Sequence, residues 1–251
     1  PRWDGSLCPL KQPIDFDTAF QITVTGTSFG FLNDFKNSEY NYNYDVDCDT
    51  DGTKDYIAQT NGTTCTYSTN GPHTLSIAGT LPTFRADTNT VSQIKTIENW
   101  GSIEWKSLVN AFSGANNLTS IANDAGVPNL SQVNSLYAMF NQASKFDANL
   151  SAWDVSNVIT LKHMFNTATN FNSDLSAWNT TKVAIFDNVF SNASSFADND
   201  LSCWDVSSMQ THDRFGDGWG ANNIPPRWDG SLCSARQPID FDTAFQIKVA
   251  G

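Results

Sequence analysis

The chain has 251 residues, with 14 Lys and Arg against 26 Asp and Glu, for a formal net charge of −12. That balance excludes the basic surface that nucleic acid or an anionic membrane requires, and no run approaches the roughly 18 apolar residues of a membrane span. The acidity is lopsided, 23 Asp to 3 Glu with 26 Asn beside them; Asp and Asn are residues of turns, caps and hard-cation ligation, whereas Glu favours helix interiors.

Residues 1–26, PRWDGSLCPLKQPIDFDTAFQITVTG, return at 226–251 as PRWDGSLCSARQPIDFDTAFQIKVAG, identical at 21 of 26 positions with a constant offset of 225. A gapless match of that length marks tandem duplication. The chain therefore reads as one period of an array plus the opening of the next. The alternative is a single domain whose duplicated ends pair. On the tandem reading, 1–12 is a junction segment capping the preceding module, 13–82 a β-rich region, 83–225 a repeat region with its cap, and 226–251 the start of the next module. Neighbouring copies are then the first partners. Asp15 and Asp17, repeated as Asp240 and Asp242 in PIDFD, are candidate calcium ligands that would stiffen the junction. Equally, Asp-x-Asp before a strand is a common polar turn.

Residues 13–80 alternate as strands do: TAFQITVTG, YNYNYDVD and TLSIAGTL, separated by Gly, Asn and Asp. Between the second and third lies DCDTDGTKD, with Asp47, Asp49, Asp51 and Asp55 at positions 1, 3, 5 and 9 of a calcium loop and Gly52 at 6. Position 12 is Ala58 rather than the bidentate Glu, so the segment predicts an irregular structural Ca2+ loop or an Asp-rich hairpin. Cys48 and Cys65 bracket this hairpin and can pair locally. Cys203 then remains for Cys233, which leaves Cys8 with a partner in the preceding copy; such bonds persist in oxidising compartments. Five buried thiols are the alternative. The stretch YNYDVDCDTDGTKDY followed by TCTYSTNGPHTLSIAG resembles the PKD-like, Ig-type β-domains of bacterial surface proteins, which implies a small antiparallel sheet or sandwich.

Residues 94–225 carry a shorter period. Trp153, Trp178 and Trp204 align, as do Phe140, Phe165, Phe190 and Phe215; Phe146, Phe171 and Phe196; and Val133, Val158 and Val183. Phe112 and Leu118 belong to a looser earlier copy. A period of 25 predicts stacked units, each with a strand at LSxW and a short helix or 3₁₀ turn at 158–165. The pattern Leu-Ser-x-Trp-Asp-Val-Ser-Asn-Val, Met-Phe, Phe-Asn resembles the BspA-like leucine-rich repeats of surface proteins. The expected fold class is thus α+β: an N-terminal antiparallel β (Ig/PKD-like) region leading into a short leucine-rich-type solenoid of about 25-residue units. GDGWGANNIPP reads as its cap, closed by Trp219, Trp228 and a Cys203–Cys233 bond.

Two ladders follow from the repeat: Asp154, Asn179 and Asp205 after the tryptophans, and Asn149, Asp174 and Asp200 before the leucines. Such columns either face a protein or glycan ligand or satisfy the turns that carry them. A Trp at a fixed repeat position is read as core. For catalysis the sequence offers no metal-ligand spacing of histidines, no nucleophile elbow and no phosphate loop, so no enzyme is expected. The reading that results is an extracellular, cell-surface module of a long bacterial adhesin, acting as spacer or weak multivalent binder. Its alternatives are a dedicated recognition module and, least supported, an extracellular hydrolase.

Overall fold

The computed structural model describes residues 13–32 and 40–231. Its first part is a sheet assembled on one long central strand, β1 (Phe20–Leu32), whose Phe20, Ile22 and Val24 face the core while Gln21, Thr23 and Thr25 turn outward. A bulge between Gly26 and Ser28 shifts its register. Gly26 takes φ 117° there, a conformation that side chains with a Cβ rarely adopt. The extra residue returns Phe29 and Phe31 to the core face, where both are buried.

The remaining strands are β2 (Asn43–Asp47), β3 (Tyr56–Gln59), β4 (Thr63–Thr80), β5 (Arg85–Ala86), β6 (Ile94–Asn99) and β7 (Ser120–Ile121), in the order β3-β2-β4-β1-β6-β7 with β5 also on β1. The pairings are antiparallel except β6–β7, which is parallel. The Cys48–Cys65 disulfide is present and ties the end of β2 to β4 across a sequence separation of 17. Closing a loop of that size contributes about 3 kcal/mol in the chain-entropy model.

After β7 the chain rises in coils of about 25 residues. Parallel bridges join Ser135 to Thr160, Thr160 to Ile185 and Ile185 to Thr211. Phenylalanine columns run through the stack. Phe112, Phe140, Phe165 and Phe190 lie 5.6, 5.9 and 5.6 Å apart with nearly parallel planes, and Phe146, Phe171 and Phe196 are spaced 5.9 Å at 2°. One buried cluster extends from Phe20 in β1 to Phe215 near the end of the stack. No single coil can bury its rings, so each coil's stability resides in its neighbours.

The expected α+β class is overturned. No α-helix occurs among the described residues; the one helical piece is a 3₁₀ turn at Val91–Gln93. The fold is nearly all β and turn, on an open mixed sheet, rather than a helix-bearing leucine-rich-type solenoid. The first region likewise lies in one open sheet rather than in a two-sheet Ig-type sandwich. Hydrogen bonding gives the reason. In 158–165, where a short helix or 3₁₀ turn was expected, Met164 closes a 3₁₀-type turn onto the Leu161 carbonyl, but Leu161, His163 and Phe165 donate to the carbonyls of Ile185, Asp187 and Val189 in the next coil, not to residues four back. His163 itself is left-handed, φ 59°, as are Ala138 and Asn188 in the neighbouring coils, and a left-handed residue ends a right-handed helix. The LSxW segments, expected as strands, are turns closed by Trp153, Trp178 and Trp204 N–H groups donating to Leu150, Leu175 and Leu201.

Candidate functional site

The acidic loop between β2 and β3 is organised by its own carboxylates. Asp47, the last residue of β2, is fully buried; one oxygen accepts the Asp49 N–H at 3.2 Å and the other the Gly52 N–H at 2.9 Å. Asp55 reaches back to the Cys48 N–H at 2.8 Å, and Asp49 and Asp51 accept the N–H groups two residues on. Asp47, Asp49 and Asp55 each place one oxygen within 4.8 Å of the others, the single such grouping among the described residues. Burial pushes the Asp47 carboxyl above its ordinary range; the N–H groups of Asp49, Gly52 and Thr50 oppose this, and the charge of Asp49 adds to it. Asp51, Asp15 and Asp17 stand outside the group. Asp15 accepts the Asp17 N–H at 3.1 Å in a turn leading into β1, and Asp240 and Asp242 lie outside the described residues.

Beside this loop is a depression of about 520 Å³ lined by Cys48, Asp49, Asp55, Tyr56, Tyr67 and His73, among others. Tyr67 and His73 stack at 3.8 Å and 2° to form one wall. The Tyr67 hydroxyl is buried without a hydrogen-bond partner. Burial, then the charges of Asp49 and Asp55, raise its pKa far beyond the usual phenol range. The wall was not legible in the sequence: Tyr67 and His73 both lie on β4 but six positions apart, and between them the ladder with β1 skips residues 67–70.

Both polar ladders are occupied by local turns. The Oδ1 atoms of Asn149, Asp174 and Asp200 accept the N–H of Ser151, Ser176 and Ser202 at 2.9–3.0 Å. Those of Asp154, Asn179 and Asp205 accept from Ser156, Thr181 and Ser207 at 2.8–3.2 Å. These are Asx turns, whose side chain stands in for a backbone carbonyl. The Ser156 and Ser207 hydroxyls and N–H groups hold Asp154 and Asp205 below the ordinary carboxylate range. The ladders differ in relief. Asn149 and Asp174 line one depression of about 390 Å³, and Asp174 and Asp200 line the next, of about 280 Å³. The Trp column is buried, at 5%, 4% and 3% exposure, and the Trp178 and Trp204 indoles donate to Leu150 and Leu175 at 3.0 and 2.8 Å.

Two ion pairs escaped the sequence reading: Lys54 with Asp45 at 2.7 Å, and one between coils. Lys162 pairs with Asp187 across coils at 3.2 Å. Burial works to raise Asp187, but bonds from Thr211, Lys162 and the Asp213 N–H outweigh it and hold the carboxyl low. The spacing of 25 between Lys162 and Asp187 was the available signal. Cys203 is disulfide-bonded; its expected pairing with Cys233 lies outside the described residues, as does Cys8. None of the described helical elements is long and apolar enough to cross a membrane.

A family model described as "Mycoplasma protein of unknown function, DUF285" matches residues 87–225, more than half of the 251 residues, and the chain belongs to that family. No curated protein and no solved structure matches the chain.

Proposed function

We propose that this DUF285 chain is a tandem-repeat extracellular module of a long bacterial surface adhesin, a spacer and low-affinity multivalent binding unit rather than an enzyme. The observation that carries this reading is the return of the first 26 residues at an offset of 225. The Cys48–Cys65 bond supports an oxidising, extracellular setting, and the resemblance of the repeat columns to BspA-like surface repeats supports the location. Weak sites in series raise avidity without any strong single site. Arrays of glycans and host-surface proteins probed with a single module test it: scattered weak signals or none fit a spacer, whereas one saturable micromolar ligand overturns it.

That last outcome would favour the second reading, a dedicated protein- or glycan-recognition module. Its support is the run of depressions past Asn149, Asp174 and Asp200. Against it stands the Asx-turn duty of those side chains.

The proposal includes a structural Ca2+ at Asp47, Asp49 and Asp55, supported by the closeness of their oxygens. A cation there would relieve the Asp47–Asp49 repulsion that helps to raise Asp47. A ligand that binds only the folded state raises the melting temperature by mass action. Millimolar calcium should therefore raise the melting temperature over that in chelator, and the shift should vanish in Asp49→Asn. Superimposable melts with and without calcium would remove the ion from the account.

A further inference from the structure

The end of the stack is closed by six residues that open the next period. Ile224 bridges Asp200 in parallel and delivers Pro226–Ser231 onto the last coil. Pro226 is buried and Trp228 half-buried. The Trp228 ring stacks on His212 at 4.3 Å and 10°, meets Phe215 edge-on at 5.0 Å and reaches Phe186 at 5.7 Å. A turn holds the ring in place: the Gly230 N–H donates to the Arg227 carbonyl at 2.9 Å, and the Ser231 N–H to Asp229 Oδ1 at 2.9 Å. Residues 226–231 read PRWDGS, as do residues 1–6.

We infer that the His212–Phe215–Phe186 seat is a joint between copies, taking the PRWDGS segment of a second copy of this chain. The period of the sequence and the period of the fold are out of step, so the first residues of each copy belong structurally to the copy before. In a single chain the segment at 226–231 fills the seat in cis. The segment at 1–6 has the same sequence, with the same tryptophan and proline to offer the seat of another molecule. This contact is head-to-tail and does not close on itself, which is the geometry of a linear array.

The joint is short. Between Ser231 and Pro238, the counterpart of Pro13, lie six residues, which span at most about 20 Å when extended. Pro13 bridges Thr53, and the Ile14 N–H donates to the Gly52 carbonyl at 3.4 Å. The lead-in to β1 is thereby fixed to the Asp47–Asp55 loop. The cap of one copy and the acidic loop of the next therefore stand on either side of the same short connection. The inference rests on the tandem reading for its setting, but its test involves neither ligand nor calcium, so the two can fail separately.

Sedimentation velocity on the full chain provides that test. Trp228→Ala vacates the seat while leaving Trp3 available. Its sedimentation coefficient should rise with concentration, and the Trp3→Ala/Trp228→Ala double variant should remain at the single-chain value. A Trp228→Ala chain that stays monomeric wherever the double variant does would overturn the joint. Should circular dichroism show Trp228→Ala unfolded, the native chain decides the matter with an acetylated PRWDGS peptide. At an excess over the effective concentration of the tethered segment, about millimolar for a short linker, the peptide should speed amide exchange across 227–231 several-fold. The peptide with Ala for Trp should not. Equal exchange with both peptides would overturn the inference.

Discussion

His163 occupies a left-handed corner, φ 59°, in a column whose other members are Asn110, Ala138, Asn188 and Arg214. Its N–H is committed to the Asp187 carbonyl at 2.9 Å, and its Nδ1 is buried without a partner. Burial, then the charge of Lys162, depress its pKa below the ordinary 6.5, with Asp187 acting the other way. A histidine depressed on folding contributes stability that is complete above the unfolded pKa and is lost as pH falls through the folded value. The urea midpoint should therefore drop as pH is lowered from 6.5, and His163→Gln should remove that part of the slope. Parallel profiles for the two chains would refute the assignment. The same residue shows why the coil's path was hard to read. Left-handed corners are expected at Gly or Asn, and here the column also holds Ala, His and Arg.

At the scale of the element, the coils are held by rings from three positions. Phe165 stacks on Phe140 and Phe190 at 5.9 and 5.6 Å and on Phe171 of its own coil at 4.0 Å. Phe165→Ala should cost about 3–5 kcal/mol, as buried Phe truncations do. Because coils depend on their neighbours, the loss should shorten protection from amide exchange in the coils on both sides. Protection lost in only the mutated coil would speak against a cooperative stack. The aromatic columns were legible because a residue recurring every 25 positions has one environment. The backbone between them was not. Periodicity tells that 158–165 presents apolar residues at helical spacing, yet it is silent on where the N–H groups go, and the carbonyls of the next coil take them. In the sheet the reverse holds. Alternation along β1 and the Cys48–Cys65 pairing were both readable, because a strand's face and a short covalent loop are local properties. The Asp47–Asp49–Asp55 grouping was half legible: the spacing included Asp51, and only the fold of the hairpin leaves it out.

For the whole molecule, the net charge of −12 opposes non-specific association of like surfaces. The stack grows directly from the sheet through the parallel β6–β7 pair, and its far end is covered by the Trp228 segment. Sheet, coils and cap thus follow one another without an apolar break, as one buried cluster. The duplicated ends were legible from sequence alone, but the seat that receives residues 226–231 required the fold, since His212 and Phe186 belong to different coils. The proposed spacer role is checked by small-angle scattering of chains carrying one and two copies. A repeated spacer gives a maximum dimension that nearly doubles with an unchanged cross-section, the signature of a rod. A two-copy profile that fits two independent bodies on a flexible tether would contradict it.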